Sequence, residues 1–71
     1  MTEKPTYRIL RLPRVEDRVG LKHSQIHSLE TRGQFPRRIK ISERASGWLE
    51  HEIDQWIAGR AAASRDQIKA A

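Results

Sequence analysis

Two glycines and a proline divide the middle of this chain into short segments. Gly20 and Gly33 stand where a left-handed residue can end a helix, and Pro36 cannot lie inside one. The 71 residues include no cysteine, so neither disulfides nor thiolate metal sites can stabilise the fold, and one small apolar core has to do so. A domain of this size is too small for a deep catalytic cleft.

Apolar residues at helical spacing predict a first short helix that ends at Gly20. Pro13 stands at a plausible first helical position, because its missing N–H costs nothing there. The residues before the helix, 7–11, favour a short extended lead-in, from which Ile9 is expected to point into the core. The apolar positions of the helix are Leu12, Val15 and Val19.

A second helix is predicted from residue 23 to Arg32, with Gly33 as its left-handed C-cap. Ile26 and Leu29 lie on one side of this helix, and its other side is polar. The two predicted helices are therefore joined by a tight turn that contains a glycine.

The segment 38–42 alternates apolar and polar residues at the period of a β-strand. Ile39 and Ile41 are expected on the buried face of this strand, and Arg38 and Lys40 on its outward face. The letters "SERA" predict a turn, and "SGWL" predicts a returning strand whose glycine tolerates close approach of another backbone. The two strands form a small hairpin.

The clearest helix of the sequence begins near residue 50. Glu50, Glu52 and Asp54 lie near its start, where the helix dipole favours negative charge. Trp56 lies on its apolar stripe and is expected in the core. The stripe consists of Leu49, Ile53, Trp56 and Ile57.

Residues 1–6 and 61–71 lack a clear apolar face and are interpreted as the tails of one domain, residues 7–60. The alanine-rich C-terminal tail could extend the last helix, because alanine is the best helix former. The predicted fold class is mainly α with a small β-hairpin. The order of helix, glycine-containing turn, helix, hairpin and closing helix is that of a winged helix-turn-helix.

Basic charge is concentrated in one block of the chain. Fourteen Lys and Arg residues against nine Asp and Glu residues give a formal net charge of +5. Between positions 32 and 44 five basic residues accompany one acidic residue, and acidic residues cluster directly afterwards. Such a block attracts polyanions. A solvated surface of a basic protein is the alternative interpretation.

The fold and the charge together predict a DNA-binding protein. In a helix-turn-helix the second helix enters the major groove, and adjoining basic residues neutralise phosphates. Trp48 could lie along the DNA backbone, but packing is preferred because an exposed tryptophan would leave a large apolar area in water. The residues expected to read bases are His23, Ser24, Gln25, His27 and Ser28. The residues expected to bind phosphates are Lys22, Arg32, Arg37, Arg38, Lys40 and Arg44.

Residues 9–60 resemble the AlpA family of phage and prophage transcriptional regulators, relatives of the excisionases with a MerR-like winged helix-turn-helix. The most specific parts of the resemblance are "ILRLPRV", "GQFP" and "GWLEHEIDQWI". It implies sequence-specific DNA binding near promoters or attachment sites of mobile elements. It leaves two functions open: a transcriptional regulator of the AlpA type, and an excisionase-like recombination directionality or architectural factor that assembles cooperatively on DNA.

The chain departs from the family pattern at positions that matter for DNA binding. Lys22 replaces the Ser or Thr that usually caps the second helix, and Ser24 is the alternative cap. His27 and Ser28 replace Tyr and Arg, so the operator sequence of other members does not carry over. The wing tip carries Glu43, which would repel phosphate.

Enzymatic and metal-dependent functions find no support in the sequence. His23 and His27 are spaced i, i+4, but no third ligand has a recognisable spacing. No positioned nucleophile or oxyanion hole is visible, so no catalytic residue, metal, cofactor or small-molecule substrate is expected. The expected partner is double-stranded DNA, with a homo-oligomer on DNA left open. Because no apolar run fits a signal peptide or a membrane span, a bacterial cytoplasmic, nucleoid-associated protein without a membrane partner is expected.

Overall fold

The computed structural model describes residues 7–70, with side chains described as far as residue 66. Its elements are β1 (Ile9–Leu10), α1 (Leu12–Val19), α2 (His23–Thr31), β2 (Ile39–Ser42), β3 (Ala45–Leu49) and α3 (Glu50–Ala70). Three helices and one small antiparallel sheet are consistent with a winged helix-turn-helix, and the predicted fold class is confirmed. Helix α3 continues through most of the alanine-rich segment, whereas the predicted tail 1–6 lies outside the described residues.

Two left-handed glycines end the first two helices, as the sequence predicts. Gly20 has φ 73°, and its N–H donates to the Glu16 carbonyl at 2.8 Å. Gly33 has φ 72°, and the N–H of Gln34 donates to the Leu29 carbonyl at 2.8 Å. The hydrogen bond from Gln34 provides a donor for a backbone carbonyl at the end of α2 that would otherwise have none. The turn of residues 20–22 thus sets the direction in which α2 leaves α1.

The start of α2 differs from the expectation that Ser24 would cap it. The helix begins at His23, so Ser24 is already its second residue, and Lys22 is the N-cap. The Lys22 ammonium cannot accept a hydrogen bond. Instead, Gln25 Oε1 accepts the backbone N–H of Lys22 at 3.0 Å. Gln25 therefore provides one half of a capping box.

The three strands lie in the order β1-β3-β2, and all neighbours are antiparallel. Leu10 lies opposite Trp48, and both side chains are buried in the core. Ile9 lies opposite Leu49, on the other face of the sheet, and is 42% exposed. The prediction that Ile9 points into the core is therefore wrong, because Leu10 occupies that position.

The hairpin also turns toward the core the face that was expected to point outward. Ile39 and Ile41 are 38% and 45% exposed, so the predicted buried face of β2 is wrong. Ile39 lies opposite Gly47, which puts it on the sheet face away from Trp48. Arg38 lies on the Trp48 side, with its guanidinium carbon 4.8 Å from the centre of a Trp48 ring. The burial of Trp48 decides which face of the hairpin turns inward.

The core contains an aromatic cluster that joins the hairpin to α3. Trp48 is 1% exposed, and its indole N–H donates to the Pro36 carbonyl at 3.0 Å, which confirms the packing role preferred for it. Phe35 is buried between Trp48 and Trp56, with ring centroids 6.4 and 4.8 Å away. Trp56 is only half-buried and packs against the core from its edge. The buried hydrophobic residues of the core are Leu10, Val15, Ile26, Phe35, Trp48 and Ile53.

Candidate nucleic-acid interface

Helix α2 presents a polar side to solvent and an apolar side to the core. Ile26 is fully buried and Leu29 is half-buried. All five residues predicted to read bases are exposed: His23, Ser24, Gln25, His27 and Ser28. With successive residues 100° apart, Ser24, Ser28 and Thr31 lie directly opposite the apolar side. Thr31, which was not among the residues predicted to read bases, belongs to this polar face because it stands one helical turn beyond His27.

Some of these polar groups are already engaged within the helix. The Ser28 hydroxyl accepts a hydrogen bond from Arg32 Nη2 at 3.2 Å, and the Thr31 hydroxyl donates to the His27 carbonyl at 2.9 Å. Gln25 uses its carbonyl oxygen on the helix N-terminus, which leaves its amide N–H groups as donors. The side chains of Ser24 and His27 make no hydrogen bond to the part of the chain that the structure describes, so they are the freest donors of the face.

His23 lies at the junction of the first two helices. Its Nδ1 is 3.7 Å from a carboxylate oxygen of Glu16 on α1. Within residues 7–70 no three His, Asp or Glu side chains cluster closely enough to hold a metal ion. His23 and His27 are thus two separate polar groups of the α2 surface.

Five of the predicted phosphate-binding residues are exposed and form no ion pair with any described side chain. One of them, Arg32, stands at the end of α2 and donates to Ser28. Lys22 lies at the start of α2, Arg37 lies between α2 and the hairpin, and Lys40 and Arg44 lie on the hairpin. Arg37 also lines an open groove together with His27 of α2. Positive charge therefore borders the polar face of α2 at both of its ends and continues along the hairpin.

Arg38 differs from the other basic residues, because it is bound to Glu30 of α2. Its Nη2 lies 2.7 Å from Glu30 Oε1, and its backbone N–H donates to Oε2 at 3.0 Å. Burial raises the pKa of Glu30, but the hydrogen bonds and the charge of Arg38 outweigh it and hold the pKa below its ordinary value. The hydrogen bond to Glu30 raises the pKa of Arg38. Both groups are therefore charged at neutral pH.

A second ion-pair group joins α1 to α3 on another part of the molecule. Arg18 Nη1 lies 3.1 Å from a carboxylate oxygen of Glu50, and Nη2 contacts the Asp54 carboxylate. The hydrogen bond to Glu50 raises the pKa of Arg18. Two of the acidic residues that follow the basic block in sequence are thus paired with a cation of α1.

The family described as Prophage CP4-57 regulatory protein (AlpA) matches residues 8–61, well over half of the chain. The chain belongs to the AlpA family. Members of this family are DNA-binding regulators, not enzymes, so the expectation that the protein is not an enzyme is confirmed. The match contains the whole of α1, α2 and the hairpin.

Two relatives show how far the similarity extends. The uncharacterized protein ORF88 of Enterobacteria phage P4 is 38% identical over 55 residues, covering 78% of this chain and 62% of the phage protein. The DNA-binding transcriptional activator AlpA of Escherichia coli strain K12 is 32% identical over 66 residues, covering 84% of this chain and 94% of that protein. The matched part is thus under two thirds of the phage protein but nearly all of the Escherichia coli one. No helix among residues 7–70 has the length and apolarity that crossing a membrane requires.

Proposed function

We propose that the protein is a sequence-specific DNA-binding transcriptional regulator of the AlpA type. Helix α2 enters the major groove, and the hairpin serves as a basic wing on the phosphates. The observation that carries the proposal is the polar face of α2 with unpaired basic residues at both ends, on a helix whose other side is anchored by Ile26. The Escherichia coli relative, a DNA-binding transcriptional activator, supports it. A place in the bacterial cytoplasm, at the nucleoid, follows from this function.

A footprint separates this function from the excisionase-like alternative and tests for a homo-oligomer. A regulator of this size is expected to protect one short site, or two half-sites about one helical turn apart if two copies bind together. Protection that spreads over a long array with rising protein concentration would instead indicate cooperative assembly, and would contradict the regulator proposal.

Ser24→Ala and His27→Ala are each expected to weaken binding to a selected duplex by about 1 to 2 kcal/mol, because each removes one free hydrogen-bonding group from the groove-facing side of α2. Binding to random duplexes should change little. His51→Ala is the matched control, because His51 is also exposed but lies on α3 beside Tyr7. The measurement is a titration of each variant with both duplexes; equal losses on both would rule out base reading by α2.

Arg37→Ala and Lys40→Ala are expected to weaken binding to selected and random duplexes alike. Each should make the slope of log affinity against log salt shallower by about 0.9, the value for one lost phosphate contact. Arg65→Ala on the distal part of α3 serves as the control and should leave the slope unchanged. Slopes that stay the same for Arg37 and Lys40 would show that these residues belong to a solvated surface.

A further inference from the structure

Glu30 and Arg38 join the two parts of the molecule that are proposed to contact DNA. Glu30 lies near the end of α2, and Arg38 directly precedes the first strand of the wing. The carboxylate accepts four hydrogen bonds from Arg38, from its backbone N–H and its guanidinium group. The backbone bond matters most for geometry, because it fixes the main chain where the wing begins and not only a flexible side chain.

The buried Trp48 side chain packs against the Arg38 side of this ion pair. The Arg38 guanidinium lies over a Trp48 ring, and Trp48 is itself held by the hydrogen bond to the Pro36 carbonyl. The planar group is thus fixed by a carboxylate at its edge and an indole at its face, which are the two contacts that favour arginine over lysine. The Glu30 side chain is only 11% exposed.

We propose that Glu30 and Arg38 are positioning residues that hold the wing at the angle to α2 at which both contact the same DNA. Arg38 then acts through the wing and does not itself bind a phosphate. The proposal rests on the proposed function and revises the expectation from the sequence, in which Arg38 was an outward-facing phosphate contact. The Nε and Nη2 groups of Arg38 are already bound to Glu30, and a phosphate contact that used them would leave the Glu30 carboxylate largely buried and without its cation, which is costly.

Whether neutralising Glu30 raises or lowers the DNA affinity distinguishes a positioning role of the Glu30–Arg38 pair from phosphate binding by Arg38. Neutralising an acidic residue on a DNA-binding surface ordinarily strengthens binding, because it removes repulsion of the phosphates. Glu43→Gln at the wing tip is the control that should show this gain, since Glu43 is exposed and forms no ion pair with any described side chain. If Glu30 positions the wing, Glu30→Gln has the opposite effect and weakens binding. Loss of one wing contact weakens binding by about fivefold at 0.15 M salt, given a slope near 0.9 per phosphate.

Arg38→Lys provides the second test, with Arg38→Gln as its reference. A lysine keeps the charge, so it would preserve most of a phosphate contact. It cannot reproduce the forked contact with Glu30 or the stacking on Trp48. Positioning therefore predicts that Arg38→Lys binds as weakly as Arg38→Gln.

The experiment measures DNA affinity per folded molecule for these four variants, together with amide hydrogen exchange of the free proteins. The expected result is weaker binding by Glu30→Gln and Arg38→Lys, tighter binding by Glu43→Gln, and faster exchange at the residue 38 amide in Glu30→Gln. Tighter or unchanged binding by Glu30→Gln, or full affinity of Arg38→Lys, would overturn the proposal. If the parent protein bound no DNA the proposed function itself would fail, whereas these reversals in a protein that binds DNA would overturn only the positioning role.

Discussion

Trp48→Ala is expected to lower the free energy of unfolding by about 3 to 5 kcal/mol. Trp48 is buried at the point where the sheet, Phe35 and the chain at Pro36 meet, so its removal leaves a large cavity and an unpaired carbonyl. The free energy of unfolding of a domain of this length is only about 5 kcal/mol. The measurement is urea or thermal unfolding followed by circular dichroism, and the variant should be largely unfolded at 37 °C.

Two further variants show whether the loss comes from the position of Trp48 or from tryptophan in general. Trp48→Phe keeps most of the apolar volume but loses the N–H donor to Pro36, so it should cost less than alanine. Trp56→Ala should also cost less than Trp48→Ala, because Trp56 is half-buried at the edge of the core. Equal losses at the two tryptophans would contradict the burial described for them.

Gly47→Ala is expected to destabilise the fold by about 3 kcal/mol, the upper end of the usual cost of overpacking. A Cβ at this position would lie 2.5 Å from Ile9 Cγ2 and 2.7 Å from the Leu10 carbonyl oxygen. The second contact is with backbone, so β1 would have to move away from β3. The same unfolding measurement applies, and loss of the β1 pairing should appear as faster exchange of the Glu50 amide, whose N–H donates to the Arg8 carbonyl.

Gly59→Ala is the matched control for that substitution. Gly59 lies in α3, and nothing approaches within 4 Å of the place where its Cβ would be. Alanine should therefore stabilise the helix by about 0.5 to 1 kcal/mol. If Gly47→Ala were as harmless as Gly59→Ala, the close approach of β1 to β3 would be refuted.

The ends of the first two helices could be predicted from the sequence because local chemistry determines them. Gly20 and Gly33 adopt the left-handed conformation that ends α1 and α2, and these residues are recognisable without knowledge of the fold. The apolar stripe from Leu49 to Ile57 repeats over about two turns, so the inner face of α3 was predictable from Ile53 onward. In these elements a single pattern determines both the type of structure and the side that is buried.

The hairpin face could not be predicted in the same way, since alternation shows that a strand has two faces and not which one is buried. In β2 the choice between Ile39 and Arg38 depends on a residue of another strand, Trp48, whose bulk has to enter the core. Ile39 and Ile41 were expected to face the core. They are exposed because Trp48 is buried on the other face of the sheet. The error over Ile9 has the same cause, since β1 pairs with that same strand.

The sequence predicted which elements form the candidate site, but it did not predict which of their side chains pair with each other. Exposure of the polar side of α2 follows from Ile26 and Leu29 alone. The pairing of Arg38 with Glu30 joins residues eight positions apart through a turn whose path no local pattern fixes. From the sequence, Arg38 looked like one more phosphate-binding residue of the basic block. In the structure it differs from the others because it is paired with Glu30.

The most direct test of the central claim, that α2 reads bases in the major groove, is to remove major-groove acceptors from the DNA. Replacing guanine and adenine by their 7-deaza analogues in a selected duplex deletes the N7 acceptor and leaves the minor groove and the phosphates intact. Base reading by α2 predicts that the affinity of the parent protein falls at least tenfold, a loss of about 1.4 kcal/mol, while binding to a random duplex treated in the same way is unchanged. Equal affinity for the deaza and natural forms of the selected duplex would contradict base reading by α2 at these acceptors.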